Sequence, residues 1–189
     1  MHLIDVGTVL RQAVSATLYS NLVTRPTGAA VRQQIEELVK QRGDRALTVI
    51  DFSQVSMIDF SCADEIIAKL LIRYQAEEEI FFVFRGVSED HLDAIDAVLE
   101  RRGLALIAEE DGVSRVVGVL AEPERRAWEA LYRMGRATTL ELAASLTLDL
   151  TVAQEALDAL WIRRLVMRAD EYYFVAAAPR AGSHAGSHA

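Results

Sequence analysis

Three stretches of the chain, 46–52, 80–84 and 104–108, are apolar runs with almost no polar alternation. They are rich in Val, Ile, Leu and Phe, and runs of that length read as strands covered on both faces. Helical periodicity fills the intervals. Over 28–41, Ala29, Val31, Ile35, Leu38 and Val39 fall on one stripe; over 61–75, Ile66, Ile67, Leu70, Leu71 and Tyr74 do; over 88–102, Leu92, Ile95, Val98 and Leu99 do. Gly43 and Gly103 come after the first and last of these helices as expected end caps. Weaker strand patterns sit at 2–6 and 114–119. Strands alternating with helices predict an α/β layer.

The pattern changes near Ala121-Glu122-Pro123. Pro123 suits a first helical turn, where its missing N–H costs nothing. Three helical stretches come next in close succession, at 124–134, 138–146 and 152–163, with Trp128, Leu131, Leu157, Leu160 and Trp161 facing inward. Two short strand patterns joined by Ala169-Asp170-Glu171 then predict a β-hairpin. The expected organisation is an α/β domain over 1–120, a small α+β domain over 122–177 and a disordered tail over 178–189. The tail repeats Gly-Ser-His-Ala, and its His184 and His188 lack partner ligands for a metal.

Composition narrows the reading. With 189 residues, 51% hydrophobic and 25% charged, the chain has ample material for a core. A formal net charge of −8 disfavours a general affinity for nucleic acid. The lone Cys62 excludes an intramolecular disulfide framework and a cysteine-rich zinc site. There is no run of about 18 apolar residues and no basic stretch leading into an apolar one at the start, so no membrane partner and a cytoplasmic location are expected. Gly28, Gly43, Gly86, Gly103 and Gly112 stand isolated and form no phosphate-binding loop, and no cofactor is expected. Glu77-Glu78-Glu79 reads as a solvated helix end, and Cys62 as a small buried apolar side chain.

The most informative segment runs from the end of the 46–52 strand pattern into the next helix. Asp51-Phe52 closes the strand, Val55 and Ile58 are expected to anchor a turn, and Asp59-Phe60-Ser61-Cys62-Ala63-Asp64-Glu65 opens the helix. Ser61 and Asp64 have the spacing of a capping box, which predicts the Ser61 hydroxyl as the helix cap, with Asp59 capping the turn before it. These motifs resemble the STAS domain of bacterial anti-sigma-factor antagonists. They are closer still to a divergent STAS-like group in which Ser-Phe-Ala-Asp-Glu occupies the place of Ser61-Cys62-Ala63-Asp64-Glu65 and a segment like Thr24-Arg25-Pro26-Thr27-Gly28 precedes a helix. The resemblance spans roughly residues 20–115. Cys62 stands where the antagonists have glycine and Phe60 where they have a small hydroxyl residue, which makes this turn bulkier.

The resemblance implies a non-enzymatic regulator that docks a protein partner, a histidine-kinase-like ATPase acting as an anti-sigma factor, and that is phosphorylated on Ser61. Docking is expected through Ser56, Asp59, Phe60, Ser61, Asp64 and Glu65. The helix start would favour a phosphate, whereas Asp59, Asp64 and Glu65 would repel it.

Three helices and a hairpin over 122–177 resemble a winged helix-turn-helix domain. That implies a third helix able to enter a DNA groove through Thr151, Gln154, Glu155 and Asp158, with Arg163, Arg164 and Arg168 near its end and Arg125, Arg126, Arg133 and Arg136 as phosphate contacts. The charges oppose this use: the candidate reading helix carries Glu155 and Asp158, the hairpin carries Asp170 and Glu171, and the domain has no lysine. Winged helices also act as protein-docking or dimerisation modules, and that is the favoured expectation. The alternative is a transcriptional regulator whose winged helix binds an operator while the STAS-like domain senses or dimerises. A small-molecule sensor or enzyme in a cleft between the domains has no supporting motif.

Overall fold

A computed structural model describes residues 2–14, 20–41, 46–76 and 80–177. Gly43, the Glu77–Glu79 run and the tail over 178–189, for which an end cap, a solvated helix end and disorder are expected, lie outside the described residues.

The chain is an α/β protein built on a five-stranded sheet. Its strands are β1 (His2–Asp5), β3 (Ala46–Asp51), β5 (Ile80–Arg85), β6 (Ala105–Glu110) and β7 (Val113–Gly118), in that spatial order. The first four run parallel and β7 returns antiparallel beside β6. A separate pair, β2 (Asn21–Leu22) and β4 (Met57–Ile58), is also parallel.

Alternate residues of the central strands enter two different cores, which accounts for the unbroken apolar runs. Ile50, Phe82, Phe84, Leu106 and Ala108 join one core with helices α1 (Val6–Ala13), α2 (Arg25–Lys40) and α5 (Glu89–Arg102) and with the helical run from Phe60 to Gln75. Val49, Phe81, Val83, Ala105 and Ile107 face the other way. They share a second core with Trp128, Leu131, Leu157 and Leu160 from α6 (Glu122–Met134) and α8 (Leu150–Ile162). Full burial of each large side chain contributes about 1.5–3 kcal/mol.

The C-terminal segment adds α7 (Thr139–Leu146) between those helices and ends in the hairpin β8 (Val166–Ala169) and β9 (Tyr172–Val175). A bridge from Ala137 to Tyr173 ties the α6–α7 connection to the hairpin. Thr138 caps α7, accepting from the Glu141 N–H at 3.2 Å while the Glu141 carboxylate receives the Thr138 N–H at 2.8 Å.

Arginines stitch this segment to the sheet and to the helix ends beside it. Arg163 donates to the carbonyls of Gly103 (3.2 Å) and Val119 (3.0 Å), Arg164 to that of Gln75 (2.9 Å), and Arg125 to that of Gly118 (3.2 Å). The Tyr132 hydroxyl accepts the Ser114 N–H at 2.9 Å.

Candidate functional site

The segment singled out in the sequence forms a clasp between two helix starts. The short helix α3 (Phe60–Ala63) begins directly after Asp59, whose backbone is extended. Asp59 Oδ1 accepts from the Cys62 N–H at 2.7 Å and from the Ser61 hydroxyl at 2.8 Å. Its Oδ2 accepts from the Thr24 N–H at 2.9 Å, where α2 begins. One carboxylate therefore holds the N-terminal ends of α2 and α3 together. Burial alone would raise the Asp59 carboxyl, but the N–H groups of Thr24 and Cys62 and the Ser61 hydroxyl outweigh it and hold it below the ordinary carboxylate range.

This corrects the expectation for Ser61. The cap of the helix is Asp59, and Ser61, half-buried at the second position of α3, donates to it rather than accepting from the backbone. Asp and Ser are comparable caps in isolation. Asp59 wins because its second oxygen reaches Thr24, a partner far away in the sequence.

Thr24 is held from both sides. Its N–H meets Asp59, and its carbonyl accepts from the Cys62 thiol at 3.0 Å and from the Gly28 N–H at 3.2 Å. Its φ of 73° is a strained value for a β-branched residue. Gly28 makes the close approach feasible: a Cβ there would stand 2.9 Å from the Cys62 Cα and 3.0 Å from the Glu65 Cβ. Cys62 is fully buried, and burial, reinforced by the Asp59 charge, pushes its thiol up to about 12. It is a packing residue with a weak hydrogen bond, as its sequence context suggests.

After α3 the helix widens into a π-helical turn over Asp64–Ala68 before α4 (Lys69–Gln75) resumes the α-helical pattern. All five residues of the turn are buried, including Asp64 at 4% and Glu65 at 3% exposure. Asp64 receives Arg102 at 2.8 Å and Arg25 at 3.2 Å. Glu65 receives Arg25 at 2.8 Å and also Lys69, with Arg32 at 3.7 Å. A third buried carboxylate, Glu36, pairs with Arg32 and Arg73, each at 2.6 Å. Burial would raise the Asp64 and Glu65 carboxyls. Arg102 and Arg25 on the one, and Lys69 and Arg25 on the other, hold both below the ordinary range.

Asp64 and Glu65, expected to dock a partner, therefore do not face solvent themselves. The partly exposed heads of Arg25, Lys69 and Arg102 cover them, so cations present the surface here. Of the other residues expected to dock a partner, Ser56 is exposed and its hydroxyl bonds that of Ser20 at 2.9 Å. Phe60 is half-buried against the first core with the Arg101 guanidinium 5.8 Å from its ring. Met57 beside them is 46% exposed.

The residues considered for DNA fall into two groups. Arg125, Arg163 and Arg164 are engaged at the seam with the α/β layer through the carbonyl contacts of the fold. Arg126 donates to the Leu146 carbonyl (3.1 Å) and Arg133 to that of Glu129 (3.3 Å), within the C-terminal segment. Arg136 lies 4.7 Å from the Tyr172 ring and Arg168 5.6 Å from that of Tyr173. Gln154 is tied to Thr139, Asp158 and Tyr173, while Thr151 is exposed. The outward face of α8 also presents Glu155 and Asp158. Among the described residues no group of His, Cys, Asp and Glu is arranged to hold a metal ion, and no helix is long and apolar enough to cross a membrane.

Comparison with family models, with curated proteins and with solved structures finds no match for this chain. Thr24 and Arg25 were already marked by their segment's resemblance to the divergent group. The roles of Gly28, Glu36 and Arg102 went unseen, because each depends on contacts between helices distant in sequence.

Proposed function

We propose that this chain is a non-enzymatic regulatory protein that docks a protein partner across the surface formed by Ser56, Met57, Phe60, Ser61 and the arginines above Asp64 and Glu65. In this reading the α/β unit works as a STAS-like partner-switching module. The three helices and hairpin form a winged-helix interaction module packed on the back of the sheet. The partner is a histidine-kinase-like ATPase, and the switch is phosphorylation of Ser61.

One observation carries this reading: the Ser61 hydroxyl is bonded to the carboxylate that clasps α2 to α3. A phosphoryl group on Ser61 would turn that hydrogen bond into repulsion between Asp59 and a group of about −1.5 to −2 charge. Thr24 and Arg25 sit at the other end of the clasp, so the docking surface would change shape and charge together. The acidic outer face of α8 supports a protein rather than duplex DNA as the partner.

The test is quantitative capture from cell lysate with wild-type, Ser61→Asp and Ser61→Ala baits. An ATPase of the histidine-kinase-like class should be enriched on the wild type and on Ser61→Ala, and depleted about tenfold on Ser61→Asp. Equal recovery on all three baits overturns the switch. Binding of mixed duplex DNA at low salt, with affinity falling steeply as salt rises, would replace this reading with the operator-binding one.

A further inference from the structure

Away from the clasp, β7 and α6 border a groove of about 470 Å³ that is open to solvent on one side. That volume lies in the range of about 300–1,000 Å³ common for small-molecule sites. On α6, Arg125, Trp128, Glu129, Tyr132 and Arg133 recur at helical spacing and line it; Arg115 of β7 closes the other side. The buried face of α6 is the apolar Ala127, Trp128, Ala130 and Leu131. The flank beside it places two guanidiniums next to two aromatic rings.

The charges in the groove are unbalanced. Among the described residues the Arg125 guanidinium meets only the Gly118 carbonyl, that of Arg133 only a carbonyl of its own helix, and that of Arg115 has no hydrogen bond or ion pair. None of the three is ion-paired among the described residues, although acids outnumber bases in this chain. The five cations around Glu36, Asp64 and Glu65, by contrast, all have carboxylate partners. Three arginines against the single Glu129 leave two positive charges uncompensated. Arginine forks match phosphate oxygens in pairs.

The aromatic wall is flat. Trp128 and Tyr132 stack with ring centroids 5.2 Å apart and planes 12° from parallel. The Tyr132 hydroxyl is fixed by the Ser114 N–H, and the Trp128 indole N–H donates to the Leu165 carbonyl at 3.3 Å. Both rings are thus set in place before any ligand arrives.

We propose that this groove binds a small molecule with a planar aromatic body and a phosphate monoester, its dianion held by Arg115, Arg125 and Arg133 and its ring against Tyr132. The site is independent of the Ser61 surface. Because its walls come from β7 of the sheet and from α6, occupancy would brace the two against each other.

The probe is 1-naphthyl phosphate, titrated at neutral pH into the isotopically labelled full chain and followed by the amide signals of Ser114 and Val116 and the indole signal of Trp128. Saturable shifts confined to this region are expected, with 1-naphthol and inorganic phosphate each binding at least about tenfold more weakly. Arg115→Gln and Arg133→Gln should each weaken the probe about tenfold. Both side chains are exposed and hold no other element, so the variants should keep the wild-type melting temperature. Arg101→Gln, beside Phe60, should leave affinity unchanged. The proposal is overturned by the absence of saturation at millimolar probe, by equal binding of inorganic phosphate, or by wild-type affinity in the Arg115→Gln/Arg133→Gln double variant.

Discussion

Removing the Asp59 carboxylate tests the clasp directly. In Asp59→Ala the helix start at Cys62 loses its cap, at a cost of about 1 kcal/mol. The Thr24 N–H loses a charge-assisted bond of 2.9 Å that contributes roughly 1.5 kcal/mol or more when shielded. Exposure at Thr24 lets water replace part of that bond, and relaxation of its strained φ of 73° returns some free energy. The balance is a loss of about 2 kcal/mol, equivalent to a fall in melting temperature of about 4–8 °C for a chain of this size. Asp59→Asn keeps an acceptor for Cys62 but turns an N–H₂ group toward the Thr24 N–H, so its loss should lie between wild type and alanine. Ser61→Ala removes only one half-buried hydroxyl donor and should cost no more than about 0.5 kcal/mol. Urea unfolding followed by far-UV circular dichroism gives all three numbers. If Ser61→Ala costs as much as Asp59→Ala, the serine is the cap after all and the geometry argued for the clasp is wrong.

The same region makes three further outcomes measurable. Asp59, Asp64 and Glu65 all have folded-state carboxyl pKa values below the unfolded ones, so their contribution to stability is complete above the unfolded range near about pH 4 and is lost as pH falls below it. Urea midpoints should accordingly drop steeply below about pH 4, and the drop should be shallower in Asp64→Asn measured against its own neutral-pH value. Cys62, with its thiol pushed up to about 12, should resist iodoacetamide at pH 8 in the folded chain and react at the rate of a free thiol once unfolded; rapid native-state labelling would contradict its burial. Gly28→Ala, favourable for an exposed helix by about 1 kcal/mol, should instead destabilise by about 1–3 kcal/mol, and Cys62→Ala should not rescue it because the clash is with backbone at 2.9 Å.

Much of the fold was legible because burial on both faces leaves a plain mark. β3, β5 and β6 are apolar along most of their length, with charges only at their C-terminal ends (Asp51, Arg85, Glu109 and Glu110), and the structure covers one side with helices and the other with Trp128, Leu131, Leu157 and Leu160. The edge strands β1 and β7 were fainter because residues along them alternate in exposure, with Leu3 52% and Val113 60% exposed, and β1 is also only four residues long. Helix α1 escaped notice. It is only eight residues long, and Val6, Gly7, Thr8 and Val9 are weak helix formers. It begins directly after a strand and depends on Asp5, whose side chain accepts from the Gly7 and Thr8 N–H groups.

The candidate site was legible in place and misread in chemistry. Spacing located the helix start at residues 59–61 but pointed to Ser61 instead of Asp59 as its cap, because the partner that decides the matter, Thr24, comes from the start of another helix. Spacing likewise made Asp64 and Glu65 look like surface acids. Only the π-helical turn and the convergence of Arg25, Lys69 and Arg102 show them as buried and neutralised.

The most direct measurement of the central claim is amide hydrogen exchange at Thr24 and Cys62 in chain carrying phosphoserine at position 61, compared with unmodified chain. A clasp opened by charge repulsion predicts exchange at both amides at least about tenfold faster, with the sheet amides of β3 and β5 unchanged. Equal protection of Thr24 and Cys62 in the two forms would contradict the account.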